Sequence, residues 1–152
     1  METQKGIIEF SFITRESTLY SQAVELRYKI FFAPLNISMD AVFDNLEEQS
    51  IHLVAHIGDT TLGYARLTIE KNLGQISQMV VDSFNREKGI GAELIKILID
   101  KFVDMGVYDI FLNARVSALG FYKKLGFISV GQDFPSEKTG LPHRRMEKII
   151  VR

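Results

Sequence analysis

The chain has 152 residues, 46% of them apolar, enough for a single domain spanning 1–152 with a buried core. Eighteen Lys and Arg against 19 Asp and Glu leave a formal charge of -1, so no nucleic-acid footprint and no polybasic membrane anchor is expected. The lack of cysteine excludes a disulfide framework, a thiolate metal site and a cysteine nucleophile, and suits a reducing compartment.

Metal binding is poorly served as well. The only histidines are His52, His56 and His143. His52 and His56 stand four apart in a strand-like run, where that spacing does not converge as it would on a helix. The N-terminus "METQKGIIEF" has no apolar leader region, and no window is long enough for a membrane-spanning helix, so a cytoplasmic protein is expected.

In chain order, "GIIEFSFI" (6–13) alternates as a first strand. From Ser17 to Phe32 the apolar residues Leu19, Ala23, Leu26 and Ile30 recur at helical spacing, and Pro34 stops the helix. "SMDAVFDNLEEQS" (38–50) is acidic and reads as a short helix or a loop. Three strands follow, 51–57, 61–69 and 74–81, with turn signals at Gly58-Asp59 and Asn72-Leu73-Gly74.

The period then changes. Ile90, Leu94, Leu98 and Phe102 make one stripe of an amphipathic helix that ends at Gly106, with Glu93, Lys96, Asp100 and Asp104 opposite. A buried strand (107–114), a short helix (116–125) closed by Gly126, and two final strands complete the chain. A meander that feeds one strand-helix-strand crossover implies a mixed α/β (α+β) fold, with a mostly antiparallel sheet and helices on both faces.

The stretch "NREKGIGAEL" (85–94) lies where the last meander strand gives way to that helix. A glycine-rich turn there presents unpaired N–H groups at the positive end of the helix dipole, a setting for phosphate. It lacks the spacing of a P-loop, and a dinucleotide fingerprint would need Gly or Ala where Leu94 stands. What remains is R-x-x-G-x-G, filled by Arg86, Gly89 and Gly91.

"QMVVDSFNREKGIGAELI" resembles the coenzyme-binding segment of the GNAT superfamily of N-acetyltransferases. "ALGFYKKLGF" is similar to that family's second hallmark, with Ala118, Tyr122, Gly126 and Phe127 in its fixed places. The two motifs stand in the family's order, and the element order agrees with its fold over nearly the whole chain. The resemblance implies acetyl-coenzyme A as cosubstrate, without metal. Its pyrophosphate is expected over the N–H groups of 87–92 (Glu87, Lys88, Gly89, Ile90, Gly91 and Ala92), with Arg86 and Lys88 adding charge. It also implies that the backbone of Met79, Val80 and Val81 borders the pantetheine arm and the thioester. Where many members carry Asn this chain has Arg115, so that either Asn113 or Arg115 makes the corresponding coenzyme contact.

The implied reaction is attack of a primary amine on the thioester, with Tyr122 as general acid to the departing thiolate. Candidates for the base are His143, His52, the acids at 44–48 or a relayed water, and the acidic 40–48 segment could instead attract a cationic substrate. The acceptor is left open among a polyamine, an amino sugar, an antibiotic, a peptide N-terminus and a lysine. The alternatives to an enzyme are a non-catalytic acyl-coenzyme A sensor and a plain interaction domain. A sheet that splays to admit pantetheine also suggests a homodimer through the C-terminal strands.

Overall fold

The computed structural model describes residues 2–3 and 6–151. Its elements are β1 (Glu9–Ile13), α1 (Thr18–Arg27), β2 (Ile51–Ile57), β3 (Thr60–Glu70), β4 (Leu73–Val81), α2 (Ile90–Asp104), β5 (Asp109–Arg115), α3 (Leu119–Lys124), β6 (Ile128–Pro135) and β7 (Pro142–Ile149). Ahead of these, Glu2–Thr3 pairs with Gly6–Ile7 as a separate two-stranded piece. The main sheet has seven strands in the order β1-β2-β3-β4-β5-β7-β6. All neighbours in it are antiparallel except β4 and β5, which α2 joins by a crossover. This is the expected mixed, mostly antiparallel sheet.

Each face of the sheet has its own core. The stripe Ile90, Leu94, Leu98 and Phe102 of α2 packs on Leu53, Leu67, Ile76, Ile110 and Leu112. On the opposite face Ala23 of α1 meets Val54, Tyr64 and Val80. Ser17 caps α1, its Oγ accepting from the Leu19 N–H at 3.1 Å.

The helix expected to run to Phe32 is regular only to Arg27. Tyr28–Phe32 widens into a π turn, and Ala33–Leu35 tightens into a 3₁₀ turn that contains Pro34. A regular helix would drive the proline ring against the carbonyl of Ile30, so the chain leaves the α geometry before reaching it. The acidic segment holds one 3₁₀ turn, Met39–Val42, followed by turns to Ser50. The strand expected from residue 107 starts at Asp109, because the Val107 N–H closes the end of α2 on the Phe102 carbonyl at 2.9 Å.

Two irregularities in β4 shape the site. β4 and β5 are bonded only at Leu73–Gln75 against Asp109–Phe111, after which the two strands part. Farther along β4, its register with β3 shifts between Tyr64 and Arg66, where Gln78 has φ 54.

Candidate active site

The parting strands open a cavity of about 980 Å³ that runs from the turn ahead of α2 to the hairpin between β6 and β7. Glu87 and Gly89 of the turn both have positive φ, 69° and 80°. A β-branched side chain at 89 would be strained there, whereas glycine is not. The first intrahelical bond of α2 reaches back from Glu93 N–H to the Gly89 carbonyl at 3.1 Å, so the N–H groups of Ile90, Gly91 and Ala92 lie ahead of the ladder. Gly91 also has a packing reason to be glycine. A Cβ there would come 3.3 Å from Phe121 Cζ and 3.4 Å from Met79 Cε.

Met79, Val80, Val81, Arg86, Glu87, Gly89, Ile90, Gly91, Ala92, Asn113 and Tyr122 all line this one cavity. Lys88 does not line it; its ammonium donates to Asn85 Oδ1 at 3.2 Å, so its charge is turned along the turn. The Asp82 N–H is spent on the Leu62 carbonyl in β3 at 2.7 Å. By strand alternation the backbone groups of Val81 and Met79 therefore face away from β3, toward the gap that β5 has left.

Tyr122 packs edge-on between Phe121 and Phe127 with its ring buried. Its hydroxyl has no hydrogen-bond partner among the described residues and is not sealed from solvent. Burial pushes its pKa up to about 12, so the proton stays on at neutral pH. His143 also lines the cavity, on β7. Its Nδ1 lies 2.8 Å from the Leu141 carbonyl, which only accepts, so that in the neutral ring Nδ1 carries the proton and Nε2 the lone pair.

Among the other base candidates, Asp44, Glu47 and His52 are engaged elsewhere. A buried ionic cluster, invisible in the sequence, reaches the cavity wall at Asp44 and Arg66 and extends behind it. The Glu47 carboxylate accepts from Arg27 Nη1 (2.8 Å) and Nη2 (2.6 Å), from Arg66 Nη1 (2.6 Å) and from the Tyr20 hydroxyl (2.6 Å). Arg66 also donates to both oxygens of Asp44 and, through Nε, to Ser77 Oγ at 2.8 Å. Burial would raise the Glu47 pKa, but the hydrogen bonds from Arg27 and Tyr20 and the two guanidinium charges outweigh it and hold the group down at about 2. A carboxylate with four donors and that acidity is no base at neutral pH.

His52 fails for a related reason. Its Nε2 lies 3.1 Å from the Glu47 carbonyl and its Nδ1 2.6 Å from the Tyr64 hydroxyl, so both nitrogens are used, and burial first among the causes lowers its pKa. Most of the acidic segment is already paired: Asp44 and Glu47 to Arg66 and Arg27, and Glu48 lies 3.8 Å from Arg15, which leaves Asp40 as the carboxylate of 40–48 without an ion pair among the described residues. Only the expected pattern i, i+3, i+4 was available for Arg27, and it does not announce that a cation lies within the core stripe. Among the described residues no group of His, Asp and Glu could hold a metal ion, and no helix is long and apolar enough to cross a membrane.

A strand, glycine turn and helix beside a split sheet, with helices on both faces, define the acyl-coenzyme A N-acyltransferase fold. Two solved structures bear this out: an acyl-CoA N-acyltransferase from Pseudomonas aeruginosa (TM-score 0.79, 19% identity, covering 93% of this chain and 99% of that one) and an aminoglycoside 6'-N-acetyltransferase complexed with coenzyme A (TM-score 0.78, 19% identity, 95% and 98%). In sequence, YjcF of Bacillus subtilis strain 168, an uncharacterized N-acetyltransferase, is 29% identical over 140 residues, 90% of this chain and 96% of that protein. Residues 21–150 match the family model of the acetyltransferase (GNAT) domain, and the chain belongs to that family. Acetyl-coenzyme A is the acyl donor that the family uses.

Proposed function

We propose that the protein moves an acetyl group from acetyl-coenzyme A to a primary amine, by direct attack within the 980 Å³ cavity. The coenzyme supplies an activated acyl thioester. The N–H groups ahead of α2, with Arg86 and Gly89, would hold its pyrophosphate, and the exposed backbone edge at Met79–Val81 would border its arm. A Val81 N–H aimed into the gap suits charge developing on a carbonyl oxygen. His143 Nε2 is the base that the geometry leaves available, directly or through one water.

The observation that carries the reading is the position of the Tyr122 hydroxyl, without a partner and on the same cavity wall as the glycine turn. A non-catalytic binder has no use for such a donor. With a pKa of about 12, transfer of its proton to a thiolate near 8.5 is uphill by roughly 5 kcal/mol. Tyr122 therefore acts first as a hydrogen-bond donor to sulfur while charge builds there. The test is twofold: acetyl-coenzyme A should raise the melting temperature, and a panel of amines should release free thiol. Binding without thiol release from any amine would reduce the protein to a sensor, and no binding would remove the coenzyme reading altogether.

A further inference from the structure

Three cations on the cavity wall have no carboxylate within 4.0 Å among the described residues: Arg86, Arg115 and Lys138. Arg86 belongs to the glycine turn. Lys138 spends its ammonium on the carbonyls of Ala41 (2.6 Å) and Phe43 (3.1 Å). Arg115 has neither kind of partner; its guanidinium carbon lies over the Phe31 ring, 5.3 Å from the centroid. Burial lowers its pKa, and the like charge of Arg86 lowers it further, so among the described residues only the face of the Phe31 ring compensates the cation.

The sheet decides which side of the cavity Arg115 serves. Leu112 and Ala114 point into the core beneath α2, together with Tyr122. Arg115, one step on, points to the opposite face, and its contact with Phe31, in the turn that extends α1, agrees. The glycine turn opens α2 and so belongs with the first face, although Arg86 of that turn is near enough to act on the Arg115 charge. Arg115 is also the direct cross-strand partner of His143. Such partners project from the same face with Cβ atoms about 4.5–5.5 Å apart, close enough to grip one small molecule at two points.

Resting on the acetyl-transfer reading above, we propose that the acceptor is an anionic amine, whose carboxylate or phosphate is bound by Arg115 while His143 faces its amine. A guanidinium fork suits either acid. Polycations are disfavoured by the same geometry, since Asp44 on this wall already holds Arg66 through both oxygens. The remaining wall acids, Glu87 and Glu137, lie in the glycine turn and at the tip of the β6–β7 hairpin, and neither perturbs Arg115.

Matched pairs of acceptors test this: phenylalanine against phenylalaninamide, and glucosamine 6-phosphate against glucosamine, with spermidine as the polycation. Thiol release gives KM, and calorimetry on protein saturated with coenzyme A gives Kd without turnover. In one pair the acid-bearing compound should have at least a tenfold lower KM and Kd, and which pair shows it separates carboxylate from phosphate. Arg115→Gln should bring that ratio toward one by raising the KM of the acid-bearing member, and Arg115→Lys should return part of it. Transfer to neutral amines without discrimination in either pair would overturn the proposal and leave the transfer reading standing. If Arg115→Gln instead weakened coenzyme A binding by the same factor, Arg115 would belong to the coenzyme. If no compound released thiol although acetyl-coenzyme A bound, the transfer reading would fail, and the calorimetric ratio alone would decide for or against an anionic ligand at Arg115.

Discussion

Glu47→Gln tests whether the acidic loop is held by the ionic cluster. The substitution keeps the size of the side chain but removes its charge and turns one acceptor oxygen into a donor. Four donors converge on this carboxylate, and Arg27, Arg66 and Glu47 are 0%, 1% and 2% exposed. The variant strands at least one guanidinium without its counter-charge, and breaking a buried pair from one side costs about 3–5 kcal/mol. The pKa agrees: the span from the ordinary 4.5 down to about 2 corresponds to about 3 kcal/mol favouring the ionised form. For a chain of this size that loss lowers Tm by about 6–20 °C.

The sign with pH follows from the depressed value. Stability from Glu47 is complete above about 4.5 and is lost as the pH falls toward about 2. Urea unfolding of both proteins at pH 7, 5, 4 and 3 should therefore show a gap of about 3–5 kcal/mol that narrows only below about pH 4.5. A gap under about 1 kcal/mol at pH 7, or one that does not change with pH, would refute the argument.

Gly89→Val should abolish the thermal shift produced by acetyl-coenzyme A, while the strain of a β-branched residue at φ 80, about 1–3 kcal/mol, lowers the apo Tm by about 2–12 °C; normal coenzyme binding would place the pyrophosphate elsewhere. Tyr122→Phe should lower kcat by about 10²–10⁴-fold with coenzyme Kd unchanged, and an unchanged kcat under rate-limiting chemistry would return the ring to the core alone. Sedimentation at rising concentration checks the homodimer through β6 and β7, where Ile128 is 70% and Ile149 75% exposed, and a monomer throughout would discard it.

The order of elements was readable because each carries one period: the stripe of α2, the alternation of β1, the apolar runs of β2 and β3. The motif residues were equally legible, since a glycine turn is local and its shape is set by its own backbone. What the sequence hid was pairing at a distance. Nothing in "FDNLEEQ" distinguishes Glu47, clasped by two arginines 20 and 19 residues away, from Glu48 on the surface. Arg27 and Arg66 sit in apolar patterns as though they were outward charges, although both are fully buried. Arg115 stood out only as a departure from the family pattern, and its role depends on which face of β5 it takes, a matter settled by Leu112, Ala114 and Phe31 together.

Gln78 joins the cluster to the split in the sheet, and that link can be tested by Gln78→Gly. The residue sits at the β4 bulge with φ 54, and its Oε1 accepts from Arg27 Nε at 2.7 Å. Glycine removes the cost of a left-handed residue, about 1–2 kcal/mol, and returns about 0.5–1 kcal/mol of it through the freer unfolded chain. Against that net gain stands an orphaned, charged donor inside the protein, worth about 1.5–3 kcal/mol. The donor wins: Tm should fall by about 2–6 °C, and the KM for acetyl-coenzyme A should rise as the edge at Met79–Val81 loosens. A Gln78→Gly protein that melts higher than the wild type would mean that the bulge is held by the backbone alone, and that the ionic cluster has no grip on the coenzyme edge.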